Sequence, residues 1–137
     1  MNADPITESL ERVSERCADP TPLVYARLFS QSPEMRDLFV RDTDDSVKGQ
    51  MLYQVIEVFL DFIGRGAYAA NLVACEVVNH ENLGVPPAVF ATFFGTVMET
   101  FRDILGEDWT PAYDQAWQAL LADLAAVVSR PANVAAA

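Results

Sequence analysis

The chain has a single histidine, His80, set at the end of an apolar stretch with helical spacing and followed by Leu83-Gly84-Val85. An imidazole is a strong donor to a metal ion, because one ring nitrogen can bind while a hydrogen bond fixes the other. Taken alone, a lone histidine is more often a surface or satisfied core residue. Glu76 lies one helical turn earlier, so both side chains leave the same face and the carboxylate can accept the imidazole N–H; the simpler reading is a solvated glutamate. Tyr25, on an earlier apolar stretch, either packs its ring or offers a phenolic donor in a sheltered place. Cys17 and Cys75 sit in helical patterns and read as packing residues rather than a disulfide.

These residues need a frame, and the sequence marks it with prolines. Asp4-Pro5, Thr21-Pro22, Ser32-Pro33 and Thr110-Pro111 each pair a helix-capping residue with a proline, and Pro86-Pro87 adds an uncapped start. Proline is tolerated there because the first N–H groups of a helix have no internal partner to lose. Between the starts, apolar residues recur every three or four positions. Phe90, Phe93, Phe94, Val97, Phe101, Ile104 and Leu105 form the clearest stripe, and Tyr113, Trp117, Leu120, Leu124 and Val128 form another. An earlier stripe runs through Met51, Leu52, Val55, Phe59, Phe62 and Ile63. No hairpin turn is flanked by alternating apolar residues. The spacing predicts an all-α chain with helices at 5–17, 22–31, 33–39, 46–64, 67–81, 86–105 and 110–128. The polar segment VRDTDD, 40–45, reads as a surface loop, residues 1–130 as one domain, and 131–137 as a frayed tail.

At 137 residues the chain can bury one substantial core without disulfide or metal staples. Nine basic against twenty acidic residues give a net charge of -11, which repels phosphate backbones and argues against a nucleic-acid partner. No run approaches the length of a membrane span, and the acidic amino terminus does not resemble a secretory signal. The expectation is a cytoplasmic protein without a membrane partner; the oligomeric state is left open.

Seven unequal helices fit several all-α folds. Two segments narrow the choice. Tyr25 to Phe39, YARLFSQSPEMRDLF, and the segment from His80 through Leu124, HENLGVPPAVF to LGEDWTPAYDQAWQALLADL, resemble the globin domains of bacterial haemoglobins and flavohaemoglobins. The resemblance covers most of the chain in the right order and implies a three-over-three helical sandwich binding haem b. Carried over by position, His80 is the iron ligand, Phe39 wedges the haem plane, and Tyr25 donates a hydrogen bond to bound oxygen. Counting back from His80 along the family's spacing puts Leu52 above the iron and Lys48 one turn earlier, where the family usually has glutamine or histidine. Phe39, Leu52, Val85 and Phe90 would keep the site dry. Flavohaemoglobins polarise the proximal histidine with a tyrosine and a glutamate. Phe90 and Ala132 stand at those places here, leaving Glu76 as the candidate substitute.

The resemblance implies reversible binding of O2, CO or NO for storage, delivery or detoxification. NO dioxygenation would need an external reductase, because no flavin or nicotinamide fingerprint follows. The competing readings are a haem-free globin-fold interaction module, whose pocket would be filled by side chains, and a haem gas sensor acting through a separate partner. Trp109 and Trp117 read as packing residues.

Overall fold

All five proline signals lie at helix starts. In a computed structural model, which describes residues 4–64 and 67–128, the α-helices are α1 (Pro5–Arg16), α2 (Thr21–Gln31), α3 (Ser46–Gly64), α4 (Ala67–Asn82), α5 (Pro87–Leu105) and α6 (Pro111–Val128). A 3-10 helix, Pro33–Phe39, links α2 to α3, and a second, Gly106–Asp108, links α5 to α6. No strand occurs among the described residues. The expected tail, 131–137, and Ala132 lie outside them.

Two of the four expected caps form. Asp4 accepts the N–H groups of Ile6 and Thr7 at 2.8 and 3.4 Å, and the Thr110 hydroxyl accepts that of Tyr113 at 3.1 Å. Thr21 and Ser32 do not cap with their side chains. Asp19 serves α2 instead, accepting the Thr21 N–H at 3.1 Å, because the helix begins one residue before the proline.

The helices pack as α1 against α5 and α6, α2 against α5, α3 against α4, and α4 and α5 against α6. These are the pairings of a sandwich with α1, α3 and α4 over α2, α5 and α6. At its centre lies Trp117, fully buried, with its ring nearly perpendicular to that of Phe59 at 4.8 Å. The Trp117 indole N–H donates to the Ser9 hydroxyl at 2.9 Å, and Ser9 donates to the Ile6 carbonyl at 2.7 Å, so these two buried donors are paired and tie α6 to α1. Asp61 near the end of α3 accepts the Ala69 N–H at 2.9 Å, fixing where α4 begins.

Both cysteines are free; Cys75 is exposed and so does not pack in the core, as its helical setting had suggested. No helix among the described residues is long and apolar enough to cross a membrane.

Candidate ligand pocket

Helices α2 to α5 and the Pro33–Phe39 turn enclose a cavity of about 270 Å³. Its walls are almost wholly apolar. Among the described residues, the only polar side chains lining it are Tyr25, Gln54, Glu76 and His80, with no lysine or arginine. Three apolar lining residues, Leu38, Val47 and Leu83, are also substantially exposed, so the mouth is apolar as well as the interior. Such a rim marks a binding surface more often than ordinary exposed surface.

His80 stands in the last turn of α4, which ends two residues later at Asn82. Gly84 adopts φ +97°, a conformation open to glycine at little cost, and the N–H groups of Leu83 and Val85 both turn back to the His80 carbonyl, at 3.0 and 2.8 Å. This is what Leu83-Gly84-Val85 accomplishes: it stops α4 and brings Val85 into the cavity wall. The His80 Nδ1 lies 2.8 Å from the Glu76 main-chain carbonyl. A carbonyl only accepts, so Nδ1 carries the proton, and in the neutral ring the lone pair is on Nε2. Phe90 packs against the imidazole at 5.0 Å.

Glu76 therefore meets His80 differently from the expectation. Its backbone oxygen, not its carboxylate, takes the short imidazole bond, since residues four apart in a helix bring that carbonyl beneath the ring. The carboxylate stands 3.5 Å from Nδ1, with its other oxygen accepting from Asn79 at 3.4 Å, and it is one-third exposed.

Tyr25 is 2% exposed, and its hydroxyl has no hydrogen-bond partner. Phe29, Phe39 and Phe93 surround the ring at 5.4 to 6.0 Å and leave it little room to turn. Burial pushes the phenol well above its ordinary range, and the nearby Asp42 charge adds to the effect, so the group stays a proton donor. An unsatisfied buried hydroxyl costs free energy, which makes this atom the most informative in the cavity.

Phe39, Val85 and Phe90 line the cavity with His80 and Tyr25; Leu52 and Lys48 do not. Leu52 is 3% exposed and packs in the core, while α3 turns Val47, Met51, Gln54, Val55 and Val58 to the cavity. The register is one residue earlier than expected, with Val47 on the first inward-facing position. Lys48 is accordingly rotated off the cavity. Its ammonium lies 3.2 Å from Asp42 and 2.9 Å from Asp45, and 5.4 Å from the Phe39 ring centre. Asp42 is the residue that the sequence did not single out. The α3 stripe contained Met51, but nothing in the loop composition singled out Asp42.

A scan against protein-family models matches Globin over residues 23–128, from α2 to the end of α6. No curated protein and no solved structure gives a significant match. The match spans well over half of the chain and takes in the helices that line the apolar cavity: the protein belongs to the globin family.

Proposed function

We propose that the protein is a haem globin of the bacterial-haemoglobin type, which holds haem b in this cavity and reversibly binds a diatomic gas, O2, CO or NO. One juxtaposition carries the reading: in a single apolar cavity, His80 has Nδ1 engaged and Nε2 free to donate, while the Tyr25 hydroxyl is buried without a partner. These residues suit the group, whose iron needs one strong axial donor and whose ring needs a dry apolar slot. His80 would ligate, and Phe39, Val85 and Phe90 would flank the ring. Haem supplies an iron with a coordination position open to a small gas.

The chain does the rest. The Glu76 carbonyl holds the imidazole in one tautomer and orientation, and the carboxylate at 3.5 Å is placed to raise its donor strength. The aromatic walls exclude water, which strengthens any polar contact inside. Tyr25 donates its free O–H to the gas, favouring ligands that carry partial negative charge and slowing their escape. NO dioxygenation would draw electrons from an external reductase, and a sensing role would act through a separate partner, both in a cytoplasmic setting. A haem-free interaction module would have this space filled by side chains, so the open cavity favours haem.

Titration of the purified protein with haemin is the test. A Soret band that saturates at one equivalent, with CO binding to the reduced form, is expected. A wild-type protein that takes up no haemin overturns the reading.

A further inference from the structure

The loop ahead of α3 contains an arrangement that the gas-binding reading does not use. The Asp42 carboxylate accepts the N–H groups of Val47 and Lys48, both at 3.0 Å, and pairs with the Lys48 ammonium at 3.2 Å. The Lys48 and Asp42 side chains are only 11% and 3% exposed, so neither charge is simply solvated. Asp45 adds a second carboxylate to the ammonium at 2.9 Å from a left-handed backbone, φ 62°, which a non-glycine residue adopts at some cost. The same ammonium lies 5.4 Å from the centre of the Phe39 ring, and Phe39 in turn meets the Tyr25 ring edge-on at 5.4 Å. A continuous set of contacts thus runs from Asp42 through Lys48 and Phe39 to the one unpaired hydroxyl of the cavity.

We infer that Asp42 and Lys48 are a positioning pair for the gas-binding wall, tying the 40–45 loop to the first turn of α3 and so holding Phe39 against Tyr25. Lys48 then acts on the gas without touching it. This rests on the gas-binding reading. With the pair intact, the Tyr25 hydroxyl keeps one position and retains a gas that accepts its hydrogen bond. With the pair broken, the sheltered Asp42 carboxylate loses its ammonium partner, the loop opens, and Phe39 no longer confines the phenol.

Two readouts on Lys48→Met and Lys48→Arg test the inference. In the protein with or without haem, the Val47 amide of Lys48→Met should exchange with solvent about tenfold faster than in the wild type, while α5 amides are unchanged. In the haem-loaded protein, O2 should dissociate at least about threefold faster and CO at nearly the wild-type rate, because the phenolic donor favours the more negatively charged ligand. Lys48→Arg, which keeps the charge, should stay close to the wild type in both. A merely structural role would lower the melting temperature and speed both gases alike. Unchanged Val47 exchange in Lys48→Met, or equal acceleration of O2 and CO, overturns the inference. Failure of the wild type to take up haemin would overturn the gas-binding reading and the retention effect with it, while the exchange measurement would still show whether the pair orders the loop.

Discussion

Replacing Tyr25 by phenylalanine removes one oxygen atom and nothing else from the cavity wall, and its two consequences have opposite signs. Without a bound gas, the hydroxyl is buried and unpaired, so its removal relieves a penalty of about 1–3 kcal/mol and should raise the melting temperature of the haem-free protein by several degrees. The ring itself stays packed by Phe29, Phe39 and Phe93. With O2 bound in the haem-loaded protein, the same oxygen supplies a hydrogen bond to a partly charged acceptor. Such a bond is worth about 1.5–3 kcal/mol, and each 1.4 kcal/mol is a factor of ten, so O2 should leave Tyr25→Phe roughly 10- to 100-fold faster. Stopped-flow displacement of O2 by CO measures the rate, and calorimetry of the haem-free protein measures the stability. Because burial holds the phenol above its ordinary range, the wild-type rate should not change as pH rises to about 10. An O2 escape rate unchanged in Tyr25→Phe, or a haem-free variant less stable than the wild type, would refute the role given to this hydroxyl.

Three other outcomes follow from the packing and charges. Leu52→Ala should cost about 2–5 kcal/mol of stability, as a core truncation does, yet leave gas rates near the wild type, whereas Met51→Ala should alter gas rates because Met51 lines the cavity; the reverse pattern would restore the register first read from spacing. Ser9→Ala should lower the stability by about 1–3 kcal/mol, measured by urea unfolding, because the buried Trp117 indole N–H loses its acceptor. Burial works against the Asp42 carboxylate, but the Val47 and Lys48 amides and the Lys48 ammonium outweigh it and hold the carboxyl below its ordinary 3.8; the loop order it provides is therefore present above about pH 4 and is lost as pH falls through the lowered value. The Val47 amide shift should report that titration by NMR, and a midpoint at or above 3.8 would contradict the contacts assigned to Asp42.

The prolines and three-to-four spacing were enough to place all the major helices within about two residues, because both signals are local and act on the backbone directly. The turn that carries His80 to the cavity was equally legible: His80, Gly84 and Val85 are neighbours in sequence, so that turn is encoded in one short segment. The α3 wall was not. Periodicity shows which positions on α3 share a face but not which face turns inward, and the folded helix turns Met51 rather than Leu52 to the cavity. Asp42 was invisible for a related reason. Its role depends on reaching forward five and six residues to amides that only the folded loop brings near, and a lone aspartate among polar neighbours carries no such mark. Thr21 misled because Asp19, two residues earlier, competes for the same cap.

Haem binding in this cavity depends on ligation of the iron by His80 Nε2, as proposed above. His80→Gly, loaded with haemin, reduced and examined by absorption and resonance Raman spectroscopy with and without added imidazole, tests it most directly. The iron–imidazole vibration and normal CO binding should disappear in the variant and return when imidazole fills the space left by the side chain. A variant that keeps the wild-type spectrum and gas binding without imidazole would contradict it.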